Sequence, residues 1–228
     1  VEGQQDVGLT EEQTASAIKR AVKRPLGVCV HEKLGHVVGI PKGLRNFRDP
    51  IFNLLPGTVN VAVEIGTCQG WFACRMATHL KETALIFCVD PFYDDKEEKY
   101  DGAYNLSCWK KNTREWFGRT IFLKRGESFD ESQKWGHGVP IDFLFIDGDH
   151  HSEAVLLDLE GWVPRVRTGG LVAGHDIDGK WGDQVKKALE LYGMKHGVMT
   201  IHFGEVYSFT GRQVTNCWWF YKQEPKES

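Results

Sequence analysis

From residue 58 onward, short apolar runs alternate with longer stretches in which apolar side chains recur every three or four positions. "TVNVAVEIG" (58–66), "ALIFCVD" (84–90), "TIFLKRG" (120–126), "IDFLFID" (141–147) and "GGLVAGHD" (169–176) are of the first kind. Runs of this length, rich in β-branched and aromatic residues, predict strands buried on both faces. "GWFACRMATHLK" is of the second kind and predicts a helix, with Phe72, Ala73, Met76, Ala77 and Leu80 on one side. Residues 103–117 and a short polar stretch after 126 also read as helical. So do "SEAVLLDLEGWVPRV", where Val155, Leu159, Trp162 and Val166 keep helical spacing, and "WGDQVKKALELYG" (181–193). "TIHFGEVYSF" and "NCWWFYK" close the chain as strands. Strands that are apolar throughout and separated by helices imply an α/β domain over 58–228, its parallel sheet covered on both faces.

The first 57 residues break this rhythm. Residues 1–9 are polar and Gly-rich and are expected to fray. "LTEEQTASAIKRAVKR" predicts a helix, with Thr10 as N-cap, acids early, bases late and Pro25 as its stop. Residues 25–57 are rich in Gly and Pro, with weak periodicity, and read as an irregular N-terminal cap or lid.

Composition narrows the function classes. A chain of 228 residues can bury roughly 70% of its unfolded surface and needs no disulfide staples. A net charge of −3 gives no electrostatic footprint for nucleic acid or an anionic membrane. The basic run "IKRAVKR" (18–24) reads as the solvated face of a helix. The six cysteines, at 29, 68, 74, 88, 108 and 217, form no C-x-x-C pair. Reduced thiols in a cytoplasmic setting are the simplest account of them. No apolar stretch approaches the ~20 residues of a membrane span, and the polar N-terminus lacks a signal-peptide core. "NLS" at 105–107 fits the glycosylation sequon but reads as chance. A homo-oligomer and a domain excised from a larger protein both fit a chain that starts at Val1.

Candidate chemistry gathers at strand ends. Glu64, Asp90, Asp147 and Asp176 each fall at the carboxyl end of a predicted strand, where open α/β sheets bind ligands. Any one of them could cap the following helix; four converging on one edge favour a site. "VEIGTCQG" gives Glu64-x-Gly66-x-x-x-Gly70, and glycines after a first strand let backbone approach a ligand closely. Asp90 follows Gly70 by 20 residues, and a carboxylate there can accept both hydroxyls of a ribose. The G-x-G-x-x-G fingerprint is missing, which disfavours a nicotinamide dehydrogenase.

Here the chain resembles the class I S-adenosylmethionine-dependent methyltransferases. "VEIGTCQG" is similar to their first motif and "IFCVDPF" to their second. The resemblance implies a Rossmann-like seven-stranded sheet, mostly parallel with the last strand antiparallel. It implies that Glu64, Gly66, Thr67 and Gly70 line the methionine moiety and that Asp90 holds the ribose. "RGES", with Glu127 and Ser128, resembles the segment bordering the adenine. Residues 58–178 are similar to a subfamily carrying "IDGDH…GG…HD", which includes metal-dependent sugar and natural-product O-methyltransferases. In these relatives the positions matching Asp147 and the pair His175–Asp176 supply metal ligands, and the position matching His150 is the base. His175 departs from the pattern, because several relatives carry a second Asp there.

The two knots, "IDGDHH" and "GHDID", suit that chemistry. Asp147 and Asp176 can share one hard cation such as Mg²⁺, and a histidine favours a softer one such as Mn²⁺. Asp149 reads as closing a turn, His151 as a surface residue, Asp178 as a helix cap, and Asp142 and Asp158 as structural acids. Trp71, Trp135 and Trp181 fall near strand-end loops and could wall an acceptor ring, or be partly buried there without such a role. Trp162, Trp218 and Trp219 read as core. The expected reaction is O-methylation of a small-molecule or glycan acceptor, most simply a sugar hydroxyl. Methylation of a phenolic hydroxyl, and a non-catalytic donor-binding module of a larger glycan-processing protein, remain open.

Overall fold

The computed structural model describes residues 49–96, 100–136, 138–198, 200–207 and 213–224. The helix expected from Thr10, the basic run at 18–24 and most of the expected cap lie outside the described residues. Seven strands form one sheet: β1 (Val61–Ile65), β2 (Leu85–Val89), β3 (Ile121–Lys124), β4 (Ile141–Ile146), β5 (Val166–Gly174), β6 (His202–Tyr207) and β7 (Gln213–Tyr221). Their order is β3-β2-β1-β4-β5-β7-β6. The first five are mutually parallel, and β7 runs antiparallel to both β5 and β6. This is the Rossmann-like methyltransferase architecture that the sequence resemblance implies.

Among the described residues, five α-helices cover the sheet: α1 (Trp71–His79), α2 (Gly102–Thr113), α3 (Ser128–Gln133), α4 (Ser152–Trp162) and α5 (Gly182–His196). Alternate residues of the same strand feed two separate cores, as the two-residue period of a strand requires. Val61, Val63 and Ile65 of β1 face α4 and α5, with Val155, Leu159, Val185 and Leu189. Ala62 faces α1 and α2, with Phe72, Met76 and Trp109. Residues 49–54 form a 3₁₀ turn. Its Ile51 is buried in this second core, and Phe52 stacks on Phe72 and His79.

The strand order reverses between β1 and β4: the connections that follow β1 run toward one edge of the sheet and those that follow β4 toward the other. The crevice that this topology opens lies at the carboxyl ends of those two strands. Among the described helices, none is long and apolar enough to cross a membrane. Cys74, Cys88 and Cys217 are buried and Cys68 and Cys108 half-buried, all as free thiols. Asn105 of the sequon is buried in α2, where it accepts a bond from Gln69.

Candidate active site

The strand ends are tied to one another by backbone bonds that outlast the strands. Gly66 N donates to Val89 O, Asp147 N to Ile65 O, His175 N to Ile146 O and Asp90 N to Lys124 O. Gly66, Asp90, Asp147 and His175 therefore stand in a row along the carboxyl edge. Among the described residues, three non-glycine residues have left-handed backbone, Cys68 (φ 48°), Phe92 (φ 54°) and Asp176 (φ 56°). Each follows a strand of this row. Left-handed backbone at a non-glycine residue costs on the order of 1–3 kcal/mol and gathers at functional sites.

The loop after β1 packs against the loop after β4. A Cβ at Gly66 would stand 2.2 Å from the backbone oxygen of Asp147 and 2.4 Å from Gly148 Cα. Gly66 also has φ 78°, so no other residue fits. Gly70 has φ 76°, and a Cβ there would meet Thr113 and Trp109 at 2.8 Å. Glu64 turns away from the loop into the α1–α2 core. It accepts from Thr67 Oγ1 at 2.8 Å, and Trp109 Nε1 donates to Thr67 Oγ1 at 3.1 Å. Both side chains thus brace the loop from behind.

Asp90 is 5% exposed. It accepts from Cys68 N (2.9 Å), Phe92 N (2.8 Å) and the Tyr100 hydroxyl (3.0 and 3.2 Å). Burial raises its pKa, and the bonds from Cys68, Phe92 and Tyr100 offset that rise only in part. Burial, aided by Asp90, pushes the Cys68 thiol up to about 11. Glu127 is exposed just before α3. Ser128 is half-buried, and its hydroxyl accepts from Trp162 Nε1 at 2.9 Å.

The two knots meet. Asp147, His175 and Asp176 each present a ligand atom within 4.8 Å of the others. His175 Nδ1 lies 3.1 Å from Asp176 Oδ1 and 3.6 Å from Asp147 Oδ1. His150 Nε2 lies 3.3 Å from Asp176 Oδ2, so Asp176 stands between two imidazoles. Asp149 closes its turn by accepting from His151 N, and it pairs with the exposed His151 side chain at 2.6 Å. Asp178 sits at the N-cap of the 3₁₀ turn Gly179–Trp181, without a side-chain capping bond. Asp142 is structural, accepting from Asn60 N, Val61 N and Arg167 Nε.

Of the three tryptophans near the loops, only Trp181 adjoins the knots, 4.8 Å from the His151 ring and 6.0 Å from that of His150. Trp71 is half-buried and bonded to Gln69. Trp135 cannot wall an acceptor: it is 5% exposed and packs edge-on against Phe87 and Trp162. Sequence reasoning missed Tyr100 and Cys68 at Asp90, which no motif marks, and it placed Asp158 only as a structural acid. The Asp158 carboxylate lies beside the switch point, 3.8 Å from where a Gly148 Cβ would be.

A family model described as a methyltransferase domain matches residues 63–177, just over half of the 228 residues. The chain belongs to this methyltransferase family. The matched span runs from β1 to the loop after β5 and contains both loops of the switch point, "IDGDHH" and the His175–Asp176 pair. S-adenosylmethionine is the cofactor the family implies, and the glycine cradle at Gly66 fits such a group. An uncharacterized protein of Acanthamoeba polyphaga mimivirus is 32% identical to the methyltransferase over 135 residues, 56% of each chain. The chain thus spans about half the length of that curated relative. Among solved structures, a cofactor-bound protein of MTB is similar at TM-score 0.54 and 14% identity, over 94% of this chain and 90% of that one. An S-adenosylmethionine-dependent O-methyltransferase of Thermotoga maritima matches at TM-score 0.54 and 15% identity, over 79% and 66% of the two chains. A precorrin methyltransferase of Geobacter metallireducens matches at TM-score 0.54 and 15% identity, over 77% and 88%. At such identities the likeness is one of fold.

Proposed function

We propose that this methyltransferase transfers the methyl group of S-adenosylmethionine to a hydroxyl of a small polar acceptor, a sugar or glycan, with help from a divalent cation. The observation that carries this reading is the convergence of Asp147, His175 and Asp176 within 4.8 Å, with His150 Nε2 3.3 Å from Asp176 Oδ2. The two carboxylates at neighbouring strand ends suit Mg²⁺ or Mn²⁺, and the imidazole tilts the set toward the softer Mn²⁺. A cation bound there would polarise the acceptor oxygen as a Lewis acid.

The Gly66 loop would hold the donor's methionine moiety; Asp90, which now accepts from the Tyr100 hydroxyl, would accept from its ribose diol, and Glu127 and Ser128 would border its adenine. When bound, the donor would supply an activated methyl group, which an acceptor oxygen would take in line with the C–S bond as the sulfonium becomes a neutral thioether. The hydroxyl proton passes to His150, which Asp176 orients. Trp181 offers a rigid apolar face beside it.

Mass spectrometry of a glycan and small-molecule panel with S-adenosylmethionine tests this reading. A methyl-sized gain on a sugar is expected, lost on exhaustive chelation and restored by Mn²⁺ or Mg²⁺. His150→Ala should lower turnover by roughly 10²- to 10⁴-fold and leave donor affinity nearly unchanged. Turnover that survives chelation, with no metal by elemental analysis, would remove the cation from the reading. Donor binding without turnover on any acceptor would point to a binding module instead.

A further inference from the structure

Trp218, on β7, lies on the α4–α5 face of the sheet and is 1% exposed. Its partner across the ladder is Gly174, the last residue of β5. A Cβ at Gly174 would stand 2.3 Å from Cζ2 and 2.4 Å from Cε2 of the indole. Glycine is therefore what lets the ring lie across the strand end. Nε1 is bonded to Cε2, so the N–H belongs to that same edge. Together with Asp147, His150, Val155 and His175, the indole lines a small cavity under the acid–histidine cluster. The space open to the centre of a water molecule is ≈ 10 Å³, which suits about one water.

The Trp218 N–H is buried and has no hydrogen-bond partner among the described residues. The other deeply buried indoles behave differently. Trp109 donates to Thr67, Trp135 to the carbonyl of Val139 and Trp162 to Ser128. An indole N–H can only donate, and buried donors in native proteins are almost always paired. The apolar part of the wall offers it nothing. An acceptor oxygen must enter the cavity, and the space admits nothing larger than water.

We propose that Trp218, Asp147 and His175 form a binding site for one buried water and that Trp218 is thereby a positioning residue for the cluster. The water oxygen accepts from the indole N–H. One of its hydrogens is offered to the Asp147 carboxylate, and its second lone pair faces the His175 imidazole, whose ring nitrogen not used for a cation carries a hydrogen and donates. Such outer partners fix the orientation of metal-binding side chains. The water site stands on the cavity and the indole alone; its effect on cation affinity rests on the cation reading above.

Crystal structures of the wild type and of Trp218→Phe, with calorimetry of Mn²⁺ and of S-adenosylhomocysteine, test this. In the wild type a water should lie about 3 Å from Nε1, and it should be absent or displaced in Trp218→Phe. Mn²⁺ affinity should fall at least ~10-fold in the variant, while S-adenosylhomocysteine affinity stays within about twofold, because the Gly66 loop is untouched. A merely structural tryptophan would move both affinities or neither. A wild-type map with no density within hydrogen-bond reach of Nε1 would overturn the proposal, as would undiminished Mn²⁺ affinity in the variant. If the wild type binds no Mn²⁺, the cation reading fails and the water density alone decides the site. If Trp218→Phe does not fold, the wild-type map decides it in the same way.

Discussion

Asp158 shows how far surroundings can move one side chain. Burial pushes its pKa from the ordinary 3.8 up to about 7; Asp149 and Glu127 push the same way, and a bond with Ser128 opposes them. An acid whose folded pKa is raised stabilises the fold below its unfolded pKa, and that contribution is lost as pH rises through the folded one. Between pH 3.8 and about 7 the unfolded chain releases the proton and the folded chain keeps it, at a cost of ~4 kcal/mol across the window. Asp158→Asn removes this dependence and keeps the shape. Urea denaturation at a series of pH values should show the variant gaining on the wild type from pH 4 to 7, with a constant advantage above. Parallel curves for the two proteins would mean that Asp158 is ionised in the folded state at neutral pH.

The loops after β1 and β4 carry the tightest steric requirement in the site. Gly66→Ala would place a methyl 2.2 Å from backbone on β4's loop, at φ 78°. Backbone cannot swing aside as a side chain can, so the two loops must part. The expected cost is at least ~2 kcal/mol of stability, read as a lower urea midpoint, with donor affinity lost by calorimetry. Wild-type stability and affinity in the variant would mean that the loops are not held in contact. This contact marks the limit of what the sequence discloses. The glycines, the strand-end acids and both knots are local patterns, and they were legible. Boundaries slipped where a residue has two uses. The Gly169–Gly170 pair reads as the start of a strand, yet β5 begins at Val166. Gly170 instead serves a register shift opposite Ile141–Phe143, where a Cβ would crowd the Asp142 carbonyl at 3.1 Å. Gly193 reads as a helix end, yet α5 runs to His196 and stops at Gly197 in the left-handed region. Tyr100 on Asp90, Trp135 in the core and the Trp218 cavity depend on contacts set by the whole fold, and no period or motif announces such contacts.

At the scale of the molecule, the switch point divides the labour. The loops after β1 and β2 hold Gly66 and Asp90, and those after β4 and β5 hold the acid–histidine cluster. The two halves meet through backbone at Gly66 and Asp147, while the cluster's side chains stand on the β4–β5 side, so ligands should act on them separately. A ligand that binds only the folded state stabilises it by mass action, by ~2.7 kcal/mol at 100 times its Kd. For a domain of this size that is a rise in Tm of roughly 5–10 °C. S-adenosylhomocysteine should give such a rise in scanning calorimetry, and NAD should give none. The rise should persist in His175→Ala, which removes a cluster side chain, and vanish in Gly66→Ala, which spoils the cradle. Chelator alone should leave the metal-free protein folded, because the two apolar cores lie in the sheet faces and not in the cluster. A rise with NAD equal to that with S-adenosylhomocysteine would contradict the donor assignment. A rise abolished in His175→Ala would show that the two halves of the site are coupled, against the division that the strand order implies.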